Sequence, residues 1–198
     1  QYQEFKTKVD ADKKLSQEKK APMLSEKFDN IQATLDHDKS GSRLWELANH
    51  CIYGTDANDR MARTSKMNMI MHGDGHGGVH HHDGFLNVNG IFEGRFDIVL
   101  TNPPFGANVE PSDVVHKSDV TVSSEAEKRY TEDYGGLYLE SQARVQAAVG
   151  QPIASLFELP KGNGTEKEQE KKVKSAKIKT EILFIERCLS LLKPGGRL

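Results

Sequence analysis

Apolar residues run almost without interruption from Phe96 to Leu100, in the stretch "FDIVLTNPPFG". Phe96, Ile98 and Leu100 would lie on one side of an extended strand and Val99 on the other, which is typical of a strand covered on both faces. The two prolines that follow have no N–H to give a neighbouring strand, so pairing must stop there. We therefore predict a strand in the middle of a sheet. Its carboxyl end presents Asn102, at the edge where open α/β sheets bind ligands.

Two further strands and a helix are predicted earlier in the chain. The stretch "CIYGTD", ending at Asp56, has the composition of a short buried strand, and "GVHHHDGFL" contains a second strand that ends at Asp83. Between them, residues recur at helical spacing in "MARTSKMNMIM". Asn58 or Asp59 can cap the start of this helix, and Gly73 can end it.

The last predicted helix lies in "KTEILFIERCLSLLKPGG" and is followed by the start of a strand at Arg197. Pro194 and the two glycines after it are expected to stop the helix. Four apolar residues mark one helical face: Ile182, Ile185, Leu189 and Leu192. Because strands alternate with helices, the sequence predicts an α/β fold with a doubly wound, mostly parallel sheet, here incomplete.

Long polar segments precede and interrupt these elements. Residues 1–42 are rich in Lys, Glu and Asp and are predicted to be a charged, helical or mobile lead-in to one domain, residues 43–198. An insertion at about 106–175 is too long and polar for an ordinary connection, so we expect it to be irregular and largely mobile. The start, "QYQEFKTKVD", has no Met and resembles no signal peptide. We expect a fragment of a longer protein.

The composition of the chain excludes few classes of protein. The 198 residues are 36% hydrophobic and carry a net charge of −2, so attraction to nucleic acid would need a local patch. No apolar run is long enough to span a bilayer, and we expect no membrane partner. Cys51 and Cys188 lack metal or redox spacing, which suits a reducing cytoplasm.

Three predicted strands each deliver a polar side chain to one edge of the sheet: Asp56, Asp83 and Asn102. A carboxylate in the position of Asp56 commonly accepts hydrogen bonds from the ribose hydroxyls of a nucleoside cofactor. Asp83 could accept a hydrogen bond from an adenine amine, with Phe85 as apolar surface for the ring. Taken singly, Asp56 could instead cap a helix, and an Asn-Pro pair is usually a turn.

Two other motifs are rejected. The stretch "GDGHGG", Gly73 to Gly78, formally matches the dinucleotide fingerprint, but it follows a predicted helix and no helix opens after it. Histidines at positions 72, 76, 80, 81 and 82 lack the thiolates or clustered carboxylates that would complete a coordination shell. We predict no metal site.

The motif "NPPF", Asn102 to Phe105, resembles the catalytic motif of adenine-N6 DNA methyltransferases. The ordered set "YGTDAN", "KMNMIMHG", "HDGFL", "VLTNPPFG" and "LLKPGGR" is similar to the modification subunit of type I restriction–modification systems. The resemblance covers roughly residues 51–106 and 180–198. It implies a Rossmann-like fold, of which residues 43–198 are a partial catalytic domain, and methyl transfer from S-adenosylmethionine to adenine N6.

The resemblance also implies roles for single residues. The Asn102 side-chain oxygen and the Pro103 carbonyl, fixed with the help of Pro104, accept both hydrogens of the adenine amine, and Phe105 stacks on the flipped base. The residues implied to contact the cofactor are Asp56, Ala57, Asp83 and Phe85.

The implied partners are duplex DNA with a flipped adenine, a specificity subunit that selects the site, and a restriction subunit, in a prokaryotic cytoplasm. The family's glycine-rich loop for the methionine part of the cofactor is not found before Cys51. We expect it upstream of Gln1, and we expect this chain alone to be inactive. Two alternatives stay open: a methyltransferase for an RNA base or a protein side chain, and a non-catalytic nucleotide- or DNA-binding subunit.

Overall fold

The computed structural model describes residues 1–12, 15–36, 39–73 and 77–198. The chain forms two compact units, one of residues 1–53 and 64–79, the other of residues 54–63 and 80–198. None of the helices in the described ranges combines the length and apolar character needed to cross a bilayer. The main elements are α1 (Tyr2–Ala11), α2 (Gln17–Thr34), α3 (Arg43–Glu46), β1 (Gly54–Asp56), α4 (Asp59–Met71), β2 (Val79–His81), β3 (Phe96–Ile98), β4 (Asn108–Val109), α5 (Ser124–Tyr134), α6 (Gly136–Ala147), α7 (Glu166–Ser175), β5 (Ile178–Lys179), α8 (Thr180–Leu191) and β6 (Leu192–Arg197).

The polar lead-in contains two helices, α1 and α2, within the first unit. The rings of Tyr2 and Phe28 meet edge to face, with their centroids 5.6 Å apart. The Ser42 side chain then caps α3 by accepting the N–H of Trp45 at 3.1 Å. Few residues of these helices are buried, as their charged composition requires.

The helix predicted between the first two strands is α4, and both of its predicted boundaries are confirmed. The Asn58 side-chain oxygen accepts the N–H groups of Arg60 and Met61, at 3.0 and 3.3 Å, as an N-cap does. Gly73 follows the last turn with φ +70°, a conformation that glycine adopts without strain, and donates its N–H to the Ile70 carbonyl.

The strands form three two-stranded sheets in the described residues: β1 with β2, β3 with β6, and β4 with β5. β3 and β6 are parallel, with Phe96 opposite Leu192, so a mixed α/β architecture with parallel strands is confirmed. The single doubly wound sheet is not observed, and only these small sheets are present. All strands except β6 have two or three residues, too few for long ladders.

The strand that precedes the prolines is shorter and less covered than its apolar pattern predicts. β3 ends at Ile98, and Leu100 is 90% exposed. The expectation of a strand buried on both faces is wrong, because Asp97 and Ile98 are exposed. The expected place in the middle of a sheet is wrong as well, because β6 is the one neighbour of β3 among the described strands. Pairing does end before Pro103, as the missing N–H groups require.

The insertion at about 106–175 is not irregular. It contains α5, α6 and α7 together with two 3₁₀ helices, Lys117–Val120 and Ile153–Leu156. Its apolar residues are sparse in sequence, but they converge on the main core, where they pack with Leu183 of α8. The buried residues that it contributes are Val109, Val115, Val145, Ala148, Ile153, Ala154, Leu156, Phe157 and Val173.

Helix α8 buries a different face from the one predicted. The apolar stripe of Ile182, Ile185 and Leu189 is exposed. The helix ends at Leu191, and Pro194 and the glycines after it lie inside β6. Its buried residues are Thr180, Leu183, Arg187, Cys188 and Leu191.

Candidate functional site

The Asn102–Phe105 segment forms a surface loop after β3. The side chains of Asn102, Pro104 and Phe105 are exposed, and Phe105 is 81% exposed, whereas Pro103 is half-buried. Gly106 follows with φ +74°, so the chain turns directly after the aromatic ring. The loop therefore exposes an amide side chain and an aromatic ring to solvent.

Hydrogen bonds hold the backbone on both sides of this loop. Before it, the Val99 N–H donates to the Arg197 carbonyl at 2.9 Å, continuing the pairing of β3 with β6. After it, β4 pairs antiparallel with β5, with Val109 opposite Ile178. β5 precedes α8 directly and β6 follows it directly, so the loop is attached near both ends of that helix.

The two predicted cofactor carboxylates lie at strand ends: Asp56 is the last residue of β1, and Asp83 comes shortly after the end of β2. The Asp56 carbonyl accepts the N–H of His82 at 3.1 Å, and Asp83 is the next residue. Both side chains are half-buried. Asp56 Oδ1 accepts the N–H of Asn58 at 2.7 Å, while Asn58, not Asp56, caps α4. Asp83 Oδ1 accepts the N–H of Phe85 at 2.9 Å.

These two acceptors fit the polar part of S-adenosylmethionine, because a ribose diol and an adenine amine both donate hydrogen bonds. The apolar part fits less well. Phe85 is 6% exposed, and its ring packs against those of Phe184 and Phe157, at centroid distances of 4.5 and 5.7 Å. Phe85 is therefore a core residue in this structure, and the expectation that it offers a free face to adenine is corrected.

Arg187 of α8 is a site-supporting residue that the sequence analysis missed. Its guanidinium donates to the carbonyls of Gly84 and Leu86, at 3.1 and 2.8 Å, in the turn that follows Asp83. Nη1 also pairs with Glu93 Oε1 at 3.2 Å. Burial lowers the pKa of Arg187 to about 10, and Glu93 opposes this shift, so the side chain is charged at neutral pH.

Glu181, in the first turn of α8, was also missed. Its Oε1 accepts the N–H of Gly106 at 2.8 Å. Helix α8 thus contacts the loop after Asp83 through Arg187 and the loop after Asn102 through Glu181. A signal for Arg187 exists in the sequence, since it lies four residues from both Leu183 and Leu191, on one helical face. Nothing in the sequence distinguishes Glu181 from a solvated first-turn glutamate.

The rejected motifs contribute little to this site. His81 lies beside the loop after β1: its Nε2 is 3.1 Å from the Ala57 carbonyl, and Ala57 itself is exposed. His76, and with it the centre of the "GDGHGG" stretch, lies outside the described residues. Within the described ranges, no three His, Cys, Asp or Glu residues form a group that could hold a metal ion.

Two cavities of the described residues lie elsewhere in the second unit. One, of about 420 Å³, is lined by residues that include Lys117, Tyr138 and Gln142. The other, of about 270 Å³, lies beside α7. Neither is lined by the predicted site residues.

Comparison with known families decides what these loops belong to. The family model of the N-6 DNA methylases matches residues 23–134, more than half of the chain. The chain belongs to the N-6 DNA methylase family. The matched region of this N-6 DNA methylase contains every predicted site residue from Asp56 to Phe105, while α8 lies beyond it. No curated protein matches the chain significantly. No solved structure does so either.

Proposed function

We propose that this chain is part of the modification subunit of a type I restriction–modification system and methylates adenine N6 in DNA. The observation that carries the proposal is the Asn102–Phe105 loop, which exposes an amide and an aromatic ring between two hydrogen-bonded backbone segments. The family match supports DNA as the substrate over an RNA base or a protein side chain. The type I context rests on the resemblance of the ordered motifs.

The chemistry that we propose for the loop is orientation. An adenine amine is a poor nucleophile because its lone pair is delocalised into the ring. The Asn102 side-chain oxygen and the Pro103 carbonyl accept its two hydrogens, which favours a pyramidal nitrogen and directs its lone pair. The two prolines stiffen the backbone that carries this carbonyl. Phe105 stacks on the base, which must leave the duplex to reach the loop.

S-adenosylmethionine, when bound, supplies an electrophilic methyl group. Asp56 would accept the ribose hydroxyls and Asp83 the adenine amine, while the exposed Ala57 leaves room beside Asp56. We assign Phe85 a supporting role: its ring packs in the core and its N–H orients the Asp83 carboxylate. Duplex DNA, a specificity subunit and a restriction subunit are the proposed partners.

The test is methyl transfer by the complete enzyme that contains this chain, with radiolabelled S-adenosylmethionine. We expect label on adenine in duplex DNA. We expect none on RNA of the same sequence or on a glutamine-containing peptide. Asn102→Ala should lower turnover by about 100-fold to 1000-fold with cofactor binding nearly intact, because it removes one preorganised acceptor.

Asn68→Ala is the matched control, since Asn68 is an exposed asparagine on α4 outside the loop. It should leave turnover unchanged. Wild-type turnover in the Asn102 variant would reject the catalytic assignment. Label on RNA or peptide would favour the other methyltransferases, and cofactor binding without any transfer would favour a non-catalytic subunit.

A further inference from the structure

Gly106, the residue that ends the catalytic loop, contacts a carboxylate 75 residues further along the chain. Its N–H donates to Oε1 of Glu181 at 2.8 Å. Phe105 is the preceding residue, so this bond fixes the peptide plane that directly follows the aromatic ring. A hydrogen bond from a backbone N–H to an ionised carboxylate is stronger than one between two neutral groups.

The next residues extend the same attachment. The Thr180 N–H donates to the Ala107 carbonyl at 3.2 Å, and Asn108 lies opposite Lys179 in the pairing of β4 with β5. Residues 106–109 are therefore joined to residues 178–181 by a continuous set of bonds. In this set, Glu181 makes the bond nearest to Phe105, and it is the one bond made by a side chain.

The second oxygen of Glu181 makes the contact unusual. Oε2 is buried, and no other residue of the described chain donates a hydrogen bond to it. A buried oxygen without such a donor costs free energy, which offsets part of the stabilisation that a first-turn carboxylate gives to its helix. The N–H of Gly106, and after it the N–H of Glu181 itself, lowers the pKa of this carboxyl. A glutamate is ionised at neutral pH even at its ordinary pKa, so the bond to the loop is charge-assisted.

We infer that Glu181 is a positioning residue for methyl transfer, which holds the Asn102–Phe105 loop in register with α8. The inference rests on the proposed function of the loop. Glu181 does not touch the substrate in this assignment. It fixes the position of Phe105 and, through the stiff prolines, the position of the two acceptors. Helix α8 also holds the turn after Asp83 through Arg187. Glu181 and Arg187 therefore fix the position of the base-binding loop relative to Asp83, the proposed cofactor carboxylate.

The kinetic test compares three variants of the complete enzyme. Glu181→Ala removes the acceptor and should lower kcat by on the order of 100-fold, the effect of a misplaced reactive group. The KM values for DNA and cofactor should stay within about twofold, because the binding groups are intact. Glu181→Gln keeps an oxygen for the Gly106 N–H and should restore most of kcat.

Glu186→Ala is the matched control. Glu186 lies on the same helix and accepts two backbone N–H groups, those of Glu158 and Leu159, at 2.6 and 2.9 Å, but in a different loop. It should leave kcat unchanged. Equal losses in the Glu181→Ala and Glu186→Ala enzymes would mean that α8 is merely destabilised, and an unchanged kcat in Glu181→Ala would also overturn the inference.

A second measurement separates failure of this inference from failure of the proposed function. Hydrogen exchange of the Gly106 amide, read by NMR or by mass spectrometry, needs no activity. It should accelerate in Glu181→Ala and stay slow in Glu181→Gln and Glu186→Ala. If the wild-type enzyme transfers no methyl group to DNA, the proposed function fails, and this exchange pattern still decides whether Glu181 holds the loop. Equal exchange in all four proteins would overturn it.

Discussion

Phe105 presents a large apolar ring to water at the tip of the loop between β3 and β4. The free energy falls when a flat π system covers such a ring, and nucleobases stack on aromatic side chains in this way. Leu100, at the start of the same loop, is even more exposed but offers no flat face. A comparison of substitutions at Phe105 and Leu100 therefore distinguishes aromatic stacking from general apolar contact.

We expect Phe105→Ala to weaken capture of the flipped adenine by about 1–3 kcal/mol, the usual worth of one base–aromatic stack. The fluorescence of 2-aminopurine at the target position reports this capture. Leu100→Ala is the control and should leave the signal unchanged. Equal effects of both substitutions would contradict a stacking role for Phe105.

The two cysteines differ in accessibility. Cys51 is exposed, whereas Cys188 is buried on the inner face of α8, where burial raises the pKa of its thiol. The thiolate is the reactive form, so Cys188 is doubly protected at neutral pH. We expect the native chain to react with Ellman's reagent at one thiol, and at two once denatured. The Cys51→Ser chain should not react when native; rapid labelling of it would show that α8 opens readily.

At the scale of elements, α8 supports both proposed ligand-binding loops through charged side chains. The most buried of these is Arg187, whose side chain is 3% exposed. Its partner Glu93 is also paired with Arg144, at 2.7 Å, but the Arg144 side chain is 50% exposed. The Glu93 carboxylate is thus ion-paired with one buried arginine and one solvent-exposed arginine.

We expect Arg187→Met to lower the free energy of unfolding by about 3 kcal/mol, because it leaves two carbonyls and part of a carboxylate without their donor. Arg144→Met should cost less than about 1 kcal/mol, since solvent screens that pair. Urea denaturation of both variants checks the difference. Similar losses would mean that burial does not set the strength of the Glu93 network.

The elements that the sequence predicts well are those with local signals. The N-cap Asn58 and the terminal Gly73 act on neighbouring residues, so the bounds of α4 are readable from its own segment. The buried face of α8 is readable only in part. The spacing of Leu183, Arg187 and Leu191 marks one face. Its burial depends on Glu93 and on the turn after Asp83, about a hundred residues earlier. For the same reason the sequence could not show that Phe157 and Phe184 cover Phe85.

At the scale of the whole molecule, the larger core is assembled from distant parts of the chain, from Phe85 to Leu183. The polar composition of the insertion is a poor guide to its structure: the insertion contributes much of this core, because few apolar residues suffice when each one is buried. The candidate site behaves differently. Asp56, Asp83 and Asn102 form an ordered set after predicted strands, and their proposed roles, like the division of the chain at residue 42, stay predictions.

The bond between Gly106 and Glu181 also has a consequence for the order of events during synthesis. A ribosome adds about 5–20 residues per second, so the 75 residues that separate the two partners take roughly 4–15 s to make. Throughout that interval the nascent chain already carries Asn102 to Phe105 but has neither α8 nor β6 to bond them. The bonds that fix the proposed catalytic loop can therefore form only after Arg197 has been added, and a chain that is truncated before Glu181 carries the loop residues without these bonds.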